Sequence, residues 1–233
     1  MRKSICTVLI LFTSFLIAEG RRIPFKRKYT KEYKRALSFV KTNKSFLKHE
    51  IKKYKLPPKL LLSIVFPELI RYSIYFDKVE FLSLKVFYIN LGEGYADFSV
   101  GKFQMKPSFV TYLEEQIQNK KWKHLLAYRK TSAKEIRRER VKRLESLAWQ
   151  IKYLAAFYEY TNTKYKTYLR HKSKAQQVRF LAAAYNCGIE WDAEDILDCS
   201  QKSFFPHGTF GPGSDKNYNY SKVARSFYLK ERW

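Results

Sequence analysis

Glu68 is the residue whose setting would give an ordinary side chain unusual chemistry. It follows the stretch Leu60-Leu61-Leu62-Ser63-Ile64-Val65-Phe66-Pro67, which should be buried. A carboxyl group without water around it is harder to ionise, so it holds its proton near neutrality. A general acid needs that state. The plainer alternative is a Glu at a helix end, paired with Arg71 or a nearby Lys. A second carboxylate, Asp97, lies just before the segment Gly101-Lys102-Phe103-Gln104-Met105-Lys106-Pro107. Either it faces Glu68 across a cleft and activates a water, or it caps the turn ahead of Ser99. Gln104 carries both a donor and an acceptor, and its plain alternative is a surface turn residue. Further on, Ala184-Tyr185-Asn186-Cys187-Gly188 reads, from the residues alone, as a buried aromatic followed by a helix C-cap.

The elements that must position these residues are mostly helical. From Tyr29 to Tyr54, apolar residues return at spacings of three and four with Lys on the other faces, which predicts a helix. Pro57-Pro58 ends it and opens the next, since proline fits a first helical turn. The run from Lys59 to Ile70 predicts a buried helix that Pro67 kinks or ends. Residues 82–91 suit a helix or a strand. Gly92, Gly94 and Gly101 then mark a looped region, where site residues often lie. Helices are expected from Pro107 to about Asn119, over 131–160, over 174–185 and from about Tyr218 to Lys230. A long loop is expected over 201–217. The expected architecture is therefore mainly α, a single helical domain.

Composition narrows the function classes. The chain has 233 residues, with 46 Lys+Arg against 21 Asp+Glu and a net charge of +25. At 45% hydrophobic it can bury a core, which excludes global disorder. Four His and three Cys without a C-x-x-C pair leave little material for a metal site, and neither metal nor cofactor is expected. The positive charge calls for an anionic partner. Arg2 and Lys3, an apolar run from Ile5 to Ile17 and a small-residue end at Gly20 read as a signal peptide over residues 1–20. That run is shorter than the roughly 20 residues a spanning helix needs. Residues 21–233 would then form the mature chain, its basic N-terminal helical extension reaching to about 56. Export would leave Cys187 and Cys199, either as a disulfide or as two buried thiols.

Three segments in order, the Glu68 stretch, Gly101-x-x-Gln104-x-x-Pro107 and Ala184-Tyr185-Asn186-x-Gly188, resemble the lytic transglycosylase / goose-type lysozyme superfamily of peptidoglycan-cleaving enzymes. The resemblance covers roughly residues 59–228 and implies a lysozyme-like helical domain. It implies Glu68 as catalytic acid at the end of an early helix, with Gln104, Tyr185 and Asn186 as substrate-binding residues. Tyr220 falls at the family's tyrosine in a C-terminal helix, which makes it a fourth expected substrate-binding residue. It also implies a lytic reaction: one Glu protonates the leaving sugar and then serves as base, while the substrate's own C6 hydroxyl attacks to leave a 1,6-anhydro-muramic end. Tyr185 would orient Glu68, Asn186 would place backbone or an acetamido group, and Gln104 would suit a sugar amide. Leu69 stands where the family usually has Ser, and Gly101 follows Glu68 by 33 positions, a longer gap than compact members have.

Two further readings stay open. A hydrolysing muramidase would use Asp97 as the second carboxylate. A catalytically inactive glycan-binding envelope protein would keep the scaffold alone. The expected partners are peptidoglycan glycan strands and the anionic cell-envelope surface, in the periplasm or outside the cell. Trp122, Trp191 and Trp233 are candidates for stacking on sugars, or else core residues. Nucleic acid is not expected: no helix-turn-helix, zinc-finger or RNP signature occurs, and a leader peptide would remove the chain from the genome.

Overall fold

A computed structural model describes residues 25–75, 78–205 and 217–232, without the side chains of 73–75 and 78–81. The expected leader peptide, most of the 201–217 loop and Trp233 lie outside the described residues. Helices make up 72% of the described residues and no strand occurs among them, which establishes a mainly α fold.

The helices are α1 (Phe25–Lys28), α2 (Thr30–Thr42), α3 (Lys44–Lys52), α4 (Pro58–Tyr75), α5 (Lys78–Leu91), α6 (Pro107–Gln116) and α7 (Lys120–Leu126). They continue with α8 (Ala133–Glu145), α9 (Leu147–Lys164), α10 (Lys166–Leu169), α11 (Lys174–Cys187), α12 (Ala193–Cys199) and α13 (Tyr220–Lys230).

The core is built around α4. Leu60, Leu61, Leu62, Ile64, Val65, Phe66, Leu69 and Ile70 are all buried, so this helix is apolar on every side. Such a helix must be surrounded, and α2, α11 and α13 pack against it. Each buried aliphatic or aromatic side chain contributes about 1.5–3 kcal/mol relative to exposure. Phe66 stacks on Phe227 of α13 with ring centroids 4.0 Å apart and packs edge-on to Tyr33 of α2.

Pro67 does not end α4, which runs two further turns to Tyr75. Proline has no N–H to return to the carbonyl four residues earlier, but the burial on both sides of it keeps the helix continuous. The expected helix over 29–54 is broken at Asn43. Its backbone sits between helical and extended, and its side chain donates to the Phe39 carbonyl at 2.8 Å. A side chain that competes for a helical carbonyl is a common reason for a helix to stop. Both pieces enter the core, through Tyr33, Ala36 and Val40 of α2 and Leu47 and Ile51 of α3.

The expected helix over 131–160 is likewise two, broken at the extended Ser146. The ambiguous 82–91 segment is helical as part of α5, which with the end of α4 fills most of the interval between Glu68 and Gly101. Arg140 of α8 ties this half together. It donates to the Tyr88 hydroxyl of α5 at 2.9 Å and pairs with Glu114 of α6 at 2.8 Å. Glu114 also accepts from Tyr153 of α9 at 2.6 Å.

Candidate active site

Glu68 lies in the middle of α4 and not at its end, one turn before Arg71. Only 3% of it is exposed. Arg71 Nη1 donates to both carboxylate oxygens at 3.1 Å. Nη2 reaches Asn186 Oδ1 at 3.4 Å, and the guanidinium lies 5.3 Å from the centre of the Phe205 ring. A strong arginine–carboxylate pair uses two parallel N–H bonds from two nitrogens. Here one nitrogen is shared between both oxygens, and the buried Nε has no hydrogen-bond partner among the described residues. The latch is therefore incomplete. Burial pushes the Glu68 carboxyl above the usual carboxylate range, while the Arg71 charge and hydrogen bonds from Tyr220 and Arg71 oppose that rise.

Tyr220 is the first residue of α13. Its position is set by Asn219, whose side chain caps the helix by accepting from the Lys222 N–H at 2.8 Å. The same side chain donates to the carbonyls of Ser200 and Lys202 at 2.6 and 2.7 Å, which fastens the helix start to the segment after α12. The Tyr220 hydroxyl donates to the Ile64 carbonyl at 3.2 Å and also hydrogen-bonds Glu68. Burial and the neighbouring Glu68 charge raise its pKa well above the ordinary phenol value, so it stays a neutral phenol.

Tyr185 does not orient Glu68 as expected. Its hydroxyl donates to the Phe103 carbonyl at 2.7 Å. It remains close enough to Glu68 for that charge, after burial, to raise its own pKa. Asn186 is held by Arg71 through its oxygen, and its amide nitrogen contacts Cys187 Sγ at 3.7 Å.

The segment 100–105 closes as a tight turn, with Val100 and Met105 paired as an isolated bridge. Gly101 and Gln104 both have positive φ, at 70° and 50°. Gln104 turns its amide back onto the Gly101 carbonyl at 2.7 Å, so the structure shows its donor serving the turn. The anchor of this turn is Gln150 of α9, a residue not singled out from the sequence. It is 1% exposed, accepts from the Phe103 N–H at 2.8 Å and donates to the Leu144 carbonyl. A Cβ on Gly101 would come within 1.6 Å of Gln150 Nε2 and 2.7 Å of the Leu144 carbonyl oxygen. Phe103 thus joins the turn to both α9 and Tyr185.

Asp97 caps a helix, though not the turn ahead of Ser99. Its oxygens accept from the Ser108 N–H at 3.1 Å and the Ser108 hydroxyl at 2.8 Å, at the start of α6. Lys106 adds an ion pair at 3.3 Å. A negative charge at a helix N-terminus is favourable because the first N–H groups lack intrahelical partners.

Asp97, Ser108, Tyr112, Tyr185, Asn186 and Glu190 are among the residues lining an open groove of about 420 Å³. Glu68 is not in its lining. Asn186 is the link, touching the groove on one side and Arg71 on the other. Trp191, 37% exposed, leans over Gly188, where a Cβ would meet its indole at 2.9 Å. Trp122 is instead buried and stacks on Tyr54 at 5.2 Å.

Cys187 and Cys199 form a disulfide across 12 positions, with Cα atoms 6.6 Å apart. It fastens the end of α11, and so Asn186, to α12. Helix α12 itself was not anticipated from the sequence. Its signal is Asp192, whose side chain accepts from the N–H groups of Glu194 and Asp195 at 2.9 Å. Among the described residues no group of three or more His, Cys, Asp or Glu could hold a metal ion.

The structure therefore brings Glu68, Tyr185, Asn186 and Tyr220 together from three helices, α4, α11 and α13, and adds Arg71. It places Gln104 and Asp97 in local structural roles. No family model matches the chain, and no curated protein or solved structure does.

Proposed function

We propose that the protein is a peptidoglycan lytic transglycosylase on a lysozyme-like helical domain, with Glu68 as its single acid and base. One observation carries the reading. The Glu68 carboxyl is buried and burial pushes its pKa upward, and side chains from two distant segments, Asn186 and Tyr220, lie beside the Glu68–Arg71 pair. The hydroxyl of Tyr220 donates to the Ile64 carbonyl and lies within hydrogen-bonding reach of Glu68, where with Arg71 it tempers the rise that burial causes.

In the reaction, Glu68 donates its proton to the glycosidic oxygen linking muramic acid to glucosamine. The C–O bond breaks as positive charge grows on the muramic C1. The ionised Glu68 then takes the proton of the C6 hydroxyl, whose oxygen closes onto C1 to give the 1,6-anhydro ring. The proton count balances without water. The groove beside Asn186, with Trp191 at its edge, supports a saccharide ligand, since an indole face suits a sugar ring. Export to the envelope and attraction of the basic chain to its anionic surface fit the same reading.

A second reading has an observation of its own. Arg71 occupies the Glu68 carboxylate, and in an inactive glycan-binding protein nothing would displace it. The deciding experiment digests purified sacculi and identifies the released muropeptides by mass. Anhydro ends from the wild type, lost in a normally folded Glu68→Gln variant, are the expected result. General acid catalysis contributes roughly 10²–10⁴ in rate. Wild-type activity in Glu68→Gln would remove Glu68 from the mechanism. Reducing ends would mean a hydrolase, and no release at all would favour the binding protein.

A further inference from the structure

Helix α5 carries an apolar face that is exposed among the described residues. Five of the eight large hydrophobic side chains exposed among the described residues lie on it or on the turn after it: Leu82, Val86, Phe87, Leu91 and Tyr95, between 52% and 70% exposed. The inner side of the helix is well occupied. Tyr88 is fully buried against Arg140, and Arg137 of α8 donates to the carbonyls of Ile89 and Asn90 at 3.0 and 3.2 Å. The outer side has only Ser83 and Asn90 to offer water among its exposed residues from 82 to 91. A contiguous apolar face exposed on a helix marks a surface that is covered by protein or lies against lipid.

The charge around this face selects the cover. Helix α8, packed beside α5, carries Lys134, Arg138 and Lys142 on its solvent side at a spacing of four, one stripe along the helix. None of the three has an ion-pair partner among the described residues. Two carboxylates described nearby are paired: Glu93 with Arg140 at 3.7 Å and Glu145 with Lys85 at 2.6 Å. A second copy of the chain, also at +25, would bring like charges together. An anionic bilayer surface satisfies both features at once, taking the apolar side chains below the headgroups and the cations at their level. No helix among the described residues is long and apolar enough to cross a membrane.

We propose that the outer face of α5, with the basic stripe of α8, is a docking surface for membranes carrying anionic lipid headgroups. This goes beyond the proposed reaction and is tested without any glycan.

The test is co-sedimentation of the full chain with vesicles of phosphatidylcholine alone or with about a third phosphatidylglycerol. Its companion is a Ser83→Cys probe in a Cys6→Ser background, labelled with an environment-sensitive fluorophore. The expected result is binding to the anionic vesicles, with a blue shift of the label. Val86→Glu and Phe87→Glu should each weaken partition about tenfold or more, because an apolar anchor becomes a buried charge. Replacing Lys134, Arg138 and Lys142 together by Ala should cost about 100-fold. All five positions are exposed, so circular dichroism and melting should not change. The proposal is overturned if the label keeps its aqueous emission on bound vesicles. It is equally overturned if the Glu variants bind as the wild type does, or if Val86→Glu only dissolves a homodimer that ignores lipid.

Discussion

Removing the positive charge of Arg71 should move the pH dependence of activity upward, and the size of the move follows from the geometry. Burial raises the Glu68 pKa, and Arg71 is the strongest opposing influence. Two unit charges at 3.1 Å attract by about 5 kcal/mol at an effective dielectric of 20. The guanidinium charge is spread over three nitrogens, and 27% of the Arg71 side chain meets solvent, so less than half of that is expected. About 2 kcal/mol corresponds to a rise of about 1.5 pKa units in Arg71→Met.

The sign is fixed by the role. Glu68 must carry its proton to act as the acid, so activity falls as pH rises through its folded pKa. A higher pKa moves that alkaline limb to higher pH. Arg71→Lys keeps the charge and should leave the limb within about half a unit of the wild type. The assay is a kcat/KM profile on solubilised glycan strands, paired with NMR titration of the Glu68 carboxyl carbon. Movement of the NMR titration with a fixed activity limb would refute Glu68 as the acid. A fixed NMR titration would refute the electrostatic account of the pair. An acid-side limb moving in place of the alkaline one would mean that Glu68 starts the cycle ionised, as a base.

Three other outcomes are expected. Gly101→Ala should destabilise the protein by more than about 2 kcal/mol in urea melts, since the backbone is left-handed and the Leu144 carbonyl cannot step aside from 2.7 Å. Reducing the Cys187–Cys199 disulfide should cost about 3 kcal/mol, read as a lower melting temperature with added reductant. Asp97→Asn should lose about 1 kcal/mol of stability as the α6 cap weakens, while turnover stays within about tenfold. A loss of roughly 10²–10⁴ in turnover would instead make Asp97 a general base.

Glu68 was legible because burial of its flanking sequence is a local property. A run as apolar as Leu60–Phe66 has to be core, and any carboxyl within it has to be desolvated. The pairing with Arg71 was equally visible at a spacing of three, as the plainer alternative, and the structure has both. What the sequence could not show was which side chains complete the hydrogen bonds. Tyr185 bonds the Phe103 carbonyl because Gln150, 47 positions from Phe103, holds that turn in place. Nothing in the spacing of Gln150 distinguishes it from any other polar residue on a helix. The helix breaks at Asn43 and Ser146 escaped notice for a related reason. Hydrophobic period continues across both, and only backbone geometry separates the halves. The short α12 could have been found from Asp192, whose type and position are those of an N-cap.

The roles of Glu68 and Asp97 separate on what already holds each carboxylate. A base that activates water needs a free lone pair aimed at the cleft. Asp97 spends its oxygens on three contacts with donors, the Ser108 N–H, the Ser108 hydroxyl and Lys106. Glu68 is in the opposite condition: desolvated, reached by Tyr220 and by a single shared nitrogen of an arginine whose Nε is unpaired among the described residues. The arginine has something to gain from another partner, because a buried unsatisfied donor costs about 1–3 kcal/mol. An entering sugar with hydroxyl and acetamido oxygens offers such acceptors beside Asn186. Drawing Arg71 towards them would weaken its hold on Glu68 and raise the carboxyl's proton affinity at the moment a substrate is present. Under the proposed reaction the latch and the acid would then be parts of one device, and a second carboxylate would have no proton to move.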